Sequence, residues 1–159
     1  MRLGSFLSLA FLVSISLAAG FLGSFATMDS INGWYATQVR PSWTPPNWVF
    51  APVWTTLYVL MGVAAYLVSR SKKLGKYLAI WLFLAHLLVN TFWSIAFFGM
   101  HEVLLATIII LVLLGLIVAL MKLYWNHSKL ATYLMIPYLL WVTYATTLTI
   151  GFLVLNQGK

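Results

Sequence analysis

Residues 33–58 read GWYATQVRPSWTPPNWVFAPVWTTLY, and this stretch decides how the chain is organised. It holds four of the eight tryptophans and four of the five prolines, and Arg40 is its single charge. Long apolar runs lie on both sides of it. Prolines restrict the backbone and aromatic rings supply contact area. A segment of this kind between apolar runs is therefore predicted to be functional and not a mere connector.

The composition predicts a polytopic membrane protein. Hydrophobic residues make up 63% of the 159 residues and charged residues 7%, whereas a soluble domain carries about 25% charged residues. The net charge of +7 comes from cations in short gaps between apolar runs, where membrane topology signals lie. A nucleic-acid partner is therefore not expected. The absence of cysteine excludes disulfides, thiol catalysis and cysteine-ligated metals.

Five apolar stretches approach or exceed the roughly 20 residues that a membrane-spanning helix needs. The predicted fold is an all-α integral membrane protein, a single domain over residues 1–159 built as a bundle of five transmembrane helices. The predicted spans are residues 3–27, 49–69, 77–99, 103–122 and 130–156, with a loop over residues 29–47. Pro137 is expected to bend the fifth span, because its ring clashes with the carbonyl of Tyr133. The first run also resembles a cleavable secretory signal, but apolar sequence continues to Phe25, which favours a retained helix.

The distribution of charge predicts an orientation. Five spans place the two termini on opposite sides of the membrane. Seven of the nine cations would lie on the side of the N-terminus, whereas Arg40, Lys159 and both acidic residues would lie on the other side. The positive-inside rule then places the N-terminus in the cytoplasm and the 29–47 loop on the outer face.

The third predicted span carries polar side chains on one helical face. His86, Asn90 and Ser94 recur at spacings of three or four residues, and polar groups facing lipid are costly, so they are expected to point into the bundle. They line either an internal cavity or a set of interhelical hydrogen bonds that fix packing. For His86 these two interpretations are favoured over metal ligation, because no second ligand lies at helical spacing. No metal site is predicted.

Aromatic side chains on the second and fifth spans form another pattern. Trp54 and Tyr58 share a face, and Trp141 shares one with the small Ala145. Interfacial aromatic belts are the simpler explanation, but Trp54, Tyr58 and Trp141 lie within the spans. An aromatic cage with few charges suits a large, planar, apolar ligand. Arg40 is either a partner for a ligand carboxylate or a side chain that faces solvent or lipid headgroups.

Three separated blocks resemble the TspO/MBR family of tryptophan-rich sensory proteins, which includes the mitochondrial translocator protein, or peripheral benzodiazepine receptor. The blocks are RPSWTPP at 40–46 with FAPVW at 50–54 and LY at 57–58, NTFWS at 90–94 with FFG at 97–99, and PYLLW at 137–141 with Tyr144, Ala145 and Asn156. The resemblance covers nearly the whole chain. His86 stands where the family usually has glutamine. Phe152 departs from the tyrosine of the cholesterol-recognition pattern in animal members.

The resemblance implies a five-helix bundle, often a homodimer, that binds protoporphyrin IX, haem-type tetrapyrroles and benzodiazepine-type ligands beneath the first loop. No other cofactor is expected. It also implies the pocket positions, which are Tyr35, Trp43, Trp54, Tyr58, Asn90, Ser94, Trp141 and Ala145. Arg40 and His86 complete the predicted ligand-binding set.

The predicted function is a membrane receptor for porphyrins and similar hydrophobic ligands, with a sensory role in the tetrapyrrole or stress response. The first alternative, also implied by the resemblance, is an enzyme that promotes light- and oxygen-dependent degradation of protoporphyrin IX, with Tyr35 and Trp141 as candidate catalytic residues. A tetrapyrrole or sterol transporter ranks third. Apart from Lys122 at the end of the fourth, the spans carry no formal charge, and Pro137 is their one clear helix breaker.

Overall fold

The computed structural model describes residues 3–157, which are almost entirely helical. Five segments within this range are long and apolar enough to cross a membrane: Leu3–Asn32, Asn47–Ser69, Lys76–Gly99, Val103–His127 and Lys129–Leu155. The predicted all-α fold with five transmembrane helices is confirmed.

Seven α-helices and two short helical turns build these segments. They are α1 (Leu3–Asn32), α2 (Trp34–Thr37), a 3-10 turn (Asn47–Val49), α3 (Phe50–Ser69), α4 (Lys76–Ser94), a π-helical turn (Ile95–Gly99), α5 (Val103–His127), α6 (Lys129–Leu134) and α7 (Ile136–Leu155). Local chemistry sets several ends. Gly75 precedes α4 with φ of 88°, a conformation that glycine adopts without a steric penalty. The Ser128 side chain caps α6 by accepting a hydrogen bond from the Ala131 amide.

Two predicted boundaries were wrong. The predicted loop began at residue 29, but α1 continues through Asn32 and the amide of Gly33 still donates to the Ser30 carbonyl. Asp29 does not end the helix, because its exposed side chain keeps its carboxylate in contact with water. Likewise α5 extends beyond the predicted end at residue 122 to His127. The exposed Lys122 stays in the helix because a long side chain carries its ammonium to the interface.

The bend expected at Pro137 is an interruption of the helix. The chain turns at Met135, between α6 and α7, and its amide donates to the Thr132 carbonyl at 3.1 Å. Pro137 lies in the first turn of α7, where a missing N–H leaves no bond unmade. Beyond the interruption, α7 contacts the aromatic loop at Tyr144 and Gly151.

Close approach of α1 to α3 fixes one side of the bundle. A Cβ placed on Gly62 would lie 2.6 Å from Val13 Cα, and one on Gly20 would lie 2.2 Å from the Tyr58 ring. Glycine therefore permits both contacts, as small residues do between membrane helices. On the opposite side, the inner face of α5 is fully buried at Leu113. Between these two packed sides the bundle leaves a cavity near the loop.

Candidate ligand-binding site

The cavity has a volume of about 550 Å³, within the range of roughly 300–1,000 Å³ that is typical of small-molecule sites. It lies between α1, α3, α4 and α7, and the loop over residues 33–46 covers it. The lining residues are Leu17, Gly20, Phe21, Gly23, Ser24, Thr27, Met28, Ile31, Tyr35, Pro41, Thr44, Asn47, Phe50, Ala51, Trp54, Thr55, Tyr58, Asn90, Trp93, Ser94, Phe97, Phe98, Ala145, Leu148, Thr149 and Phe152.

Six of the ten residues predicted from the sequence meet in this lining. They are Tyr35, Trp54, Tyr58, Asn90, Ser94 and Ala145. These residues come from the loop and from three different helices, so the fold brings them together from distant parts of the chain. The other four, Arg40, Trp43, His86 and Trp141, do not line the cavity.

His86 and Trp141 lie behind the lining. His86 is fully buried, and its Nδ1 lies 2.6 Å from the carbonyl oxygen of Phe83. Its ring meets the ring of Tyr138 edge-on at 5.6 Å between centroids. The ring of Trp141 meets Trp54 edge-on at 6.4 Å, and its other side lines an open groove of about 520 Å³ between α3 and α7. Both residues therefore support rings around the cavity without lining it.

Two aromatic clusters form most of the wall. Near the loop, the ring of Tyr35 stacks on Phe152 at 5.6 Å, with an angle of 4° between the planes, and lies beside Phe98 at 5.6 Å. Deeper in the bundle, Trp54 stacks on Tyr58 at 5.7 Å and lies 6.3 Å from Trp93. Tyr58 and Trp54 are one helical turn apart, so both turn the same way. The cavity therefore offers ring faces and edges at two levels.

The polar stripe of α4 both lines the cavity and joins helices. The Nδ2 of Asn90 donates to the Tyr138 hydroxyl at 3.1 Å. Ser94 Oγ donates to the Gly23 carbonyl at 3.0 Å and lies 3.1 Å from Thr27 Oγ1. Both interpretations of this stripe apply, because Asn90 and Ser94 are lining residues that also make interhelical bonds. Their remaining capacity to form hydrogen bonds supplies the few polar contacts of the cavity.

Arg40 lies at the rim. Its guanidinium carbon is 5.6 Å from the centroid of the Tyr35 ring. Burial raises the pKa of the Tyr35 hydroxyl above its ordinary value of 10.0, and the charge and hydrogen bond of Arg40 oppose that rise. Tyr35 is thus neutral at physiological pH and keeps its proton for donation. Arg40 places the only charge of the loop beside the covered end of the cavity.

The loop is fastened to α7. Asn156 accepts from the amide of Val39 at 3.1 Å and donates to its carbonyl at 2.9 Å. The Tyr144 hydroxyl donates to the carbonyl of Trp43 at 2.6 Å, and the half-exposed Trp43 ring lies against Gly151 of α7. A Cβ on Gly151 would lie 2.8 Å from Pro41 Cγ, so glycine lets the loop lie flat on the helix. The loop is therefore a closed lid, a name used below for residues 33–46.

Sequence reasoning missed the contribution of α1. The predicted pocket residues lie on the loop and on the second, third and fifth spans, but Gly20, Gly23, Ser24 and Thr27 of α1 also line the cavity. These small residues recur at spacings of three or four, which lets helices approach one another. Such spacing indicates helix contact and does not show that the contact borders a cavity. Among residues 3–157 no three potential metal-ligating side chains lie together, so rings, amides and hydroxyls supply the contacts.

Comparison with known proteins agrees with this architecture. The model of the TspO/MBR family matches residues 12–155. The chain belongs to the TspO/MBR family. It is 40% identical over 152 residues to the tryptophan-rich protein TspO of Chlorobaculum tepidum, covering 94% of this chain and 96% of that protein. It is 36% identical to protein CrtK of Rhodobacter capsulatus, covering 96% and 97%. It is 37% identical to the human translocator protein, covering 80% and 79%.

Membership of TspO/MBR confirms the resemblance carried by the three sequence blocks. The names of its members support a sensory or translocator role for this integral, multi-pass membrane protein.

Proposed function

We propose that this TspO/MBR protein is a membrane receptor that binds porphyrins and similar flat hydrophobic ligands in the cavity beneath the lid. The observation that carries the proposal is the cavity itself, a space of about 550 Å³ with aromatic rings at two levels. The sensory role expected of the protein follows if the bound ligand changes how the lid or the bundle meets a partner.

The lining favours a flat, apolar ligand with polar groups at its edge. Ring faces at Tyr35 and Trp54 offer offset or edge-on packing to a conjugated macrocycle, each worth about 0.5–1.5 kcal/mol beyond burial. Asn90 and Ser94 offer amide and hydroxyl contacts on the wall. Arg40 at the rim is suited to a carboxylate, and the two carboxylates of protoporphyrin IX project from one edge of the ring. A lipid bilayer supplies the environment, and the expected homodimer stays a prediction.

The two alternatives draw less support from the geometry. Degradation of protoporphyrin IX was assigned to Tyr35 and Trp141, but only Tyr35 lines the cavity, and Trp141 is separated from it by Trp54. The helix interruption at Met135 lies outside the cavity lining, whereas transporter sites are formed by broken helices at the midplane. Binding therefore accounts for the arrangement more directly than catalysis or transport.

The test is quenching of tryptophan fluorescence by protoporphyrin IX in the reconstituted protein. Wild type is expected to show saturable quenching. Trp54→Leu removes a ring of the wall, and Ala145→Phe fills the cavity. Each is expected to raise the Kd about tenfold or more, which corresponds to about 1.4 kcal/mol. Trp81→Leu is the matched control, because Trp81 is 70% exposed on the lipid-facing side of α4.

The control variant is expected to bind with the affinity of wild type. No saturable quenching in folded wild type, or equal affinity in all three variants, would exclude this cavity as the porphyrin site.

A further inference from the structure

We propose that ligands dissolved in the bilayer reach the cavity sideways, through an opening between α1 and α3, while the lid stays closed. The inference rests on the proposed binding function and adds the route and the physical state of the ligand. The ligand class is an apolar molecule that partitions into the membrane.

The exposed members of the cavity lining all lie along one seam. They are Phe21 and Met28 on α1, and Asn47, Ala51 and Thr55 on α3 and the turn before it. Lining residues contributed by α4, α7 and the lid are buried or half-buried. A lining side chain that is also exposed marks a place where the cavity meets the surface. The cavity therefore opens between α1 and α3.

The packing of α1 and α3 explains why the seam opens only near the lid. The helices touch at Val13 and Gly62 and again at Gly20 and Tyr58. Beyond Gly20, towards the lid, both helices turn lining residues to the cavity. The pair is therefore closed deep in the bundle and separated by the cavity closer to the lid.

The opening lies at the depth of the lipid chains. Ala51 and Thr55 follow Asn47, the start of the span, by one and two helical turns. At 1.5 Å per residue they lie about 6 Å and 12 Å deeper, within the roughly 15 Å half-thickness of the hydrocarbon core. The opening thus faces acyl chains on the lid side of the bilayer.

The chemistry of the seam suits an apolar solute. Phe21, Met28 and Ala51 present carbon and sulfur atoms. The hydroxyl of Thr55 donates to the Ala51 carbonyl at 2.8 Å, so its hydrogen-bonding need is met within the helix. Apart from the Asn47 amide at the outer end of the seam, a polar solute would gain no partner here. An apolar ligand would exchange lipid contacts for similar protein contacts and meet a low barrier.

The direct route from water is closed by the lid. It requires breaking the two bonds between Asn156 and Val39 and the bond from Tyr144 to Trp43. Passage of a ligand through the seam does not require any of these hydrogen bonds to break. Narrowing the seam would therefore block only entry from the bilayer, and locking the lid would block only entry from water.

The experiment measures association and dissociation of protoporphyrin IX by stopped-flow fluorescence, with the full chain in lipid vesicles. Ala51→Phe and Thr55→Phe narrow the seam, and Val59→Phe on the same helix is the matched control, because Val59 is exposed but does not line the cavity. A Val39→Cys, Asn156→Cys pair locks the lid when oxidised, and the chain has no other cysteine.

A narrowed gate slows both association and dissociation, whereas a clash inside the cavity weakens binding by raising the dissociation rate. Ala51→Phe and Thr55→Phe are expected to slow association and dissociation together by about tenfold relative to Val59→Phe, about 1.4 kcal/mol in the barrier. A circular dichroism spectrum that matches wild type is the check that each variant is folded. The locked lid is expected to associate at the rate of its reduced form.

Two results would overturn the sideways route. One is association in both seam variants at the Val59→Phe rate, and the other is loss of association when the lid is locked. Each of these leaves saturable binding in wild type intact. Absence of saturable binding in wild type would instead overturn the proposed function itself, so the two failures are distinguishable.

Discussion

At the scale of single residues, Gly62 is the position where one added carbon has the clearest consequence. A Cβ there would lie 2.6 Å from Val13 Cα and 2.9 Å from the Leu12 carbonyl oxygen. Backbone atoms cannot rotate away, so α1 and α3 must separate. Gly62→Ala is expected to destabilise the protein by about 1–3 kcal/mol. Thermal unfolding in detergent, followed by circular dichroism, measures this as a lower Tm.

Gly115→Ala supplies the control for this prediction, because nothing lies within 4 Å of a Cβ at that position. Alanine favours a helix over glycine by about 1 kcal/mol, so this variant is expected to be as stable as wild type or more so. An equal loss in both variants would show that the α1–α3 contact is not the cause.

Most of the residues predicted from the sequence to line the cavity do so. Helical spacing placed Asn90 and Ser94 on an inward face, and both line the cavity. Spacing also placed Trp141 on an inward face, yet its ring lies behind Trp54. One-dimensional spacing fixes the face of a helix and not its distance from the cavity. That distance depends on whether a side chain of a neighbouring helix lies in between, as Trp54 does here.

At the scale of elements, the lid is a short aromatic segment held by one helix end. Asn156 makes both side-chain bonds to Val39, and each is worth about 0.5–1.5 kcal/mol. Asn156→Ala is expected to speed hydrogen exchange of the Val39 amide about tenfold or more, because local opening becomes easier. Amides within α4 and α5 should exchange as in wild type.

Mass spectrometry of exchanged peptides measures this, with Gln157→Ala as the control for losing an exposed amide next to Asn156. Protection of the lid that survives Asn156→Ala would show that Tyr144 and the contact of Pro41 with Gly151 hold it unaided.

The ends of elements were harder to predict than their existence. The π-helical turn at Ile95–Gly99 has the Met100 amide donating to the Ile95 carbonyl at 2.8 Å. Apolar periodicity cannot separate this turn from an α-helical one, because the two differ by a single residue in the spacing of hydrogen bonds. The fit of Gly99 against Ala26 belongs to tertiary packing, which the local sequence does not contain.

At the scale of the whole molecule, the number of spans was predictable because lipid demands long, uncharged helices. The cavity was not fully predictable. It depends on how far α1 separates from α3 beyond Gly20, and a sequence of small residues permits close contact without showing where that contact ends. Hydropathy and length thus determine which segments span the membrane, whereas the shapes of the side chains determine the cavity between the helices.

The distribution of charged residues predicts how the protein is oriented in the membrane. Six of the seven lysines and arginines among residues 3–157 lie at the end away from the lid, and Arg40 alone lies on the lid. Asp29 and Glu102 lie at the lid end. We expect the lid to face outward and the loop between α3 and α4 to face the cytoplasm, because cytoplasmic loops retain lysine and arginine.

Cysteine labelling tests this orientation cleanly, since the chain has no cysteine of its own. Ser42→Cys marks the lid, and Leu74→Cys marks the opposite loop, where Leu74 is 99% exposed. A membrane-impermeant maleimide applied to intact cells is expected to label Ser42→Cys and to reach Leu74→Cys only after lysis. The reverse pattern would place the lid in the cytoplasm. It would also move the proposed opening between α1 and α3 to the inner half of the bilayer, and ligands would then be drawn from that side.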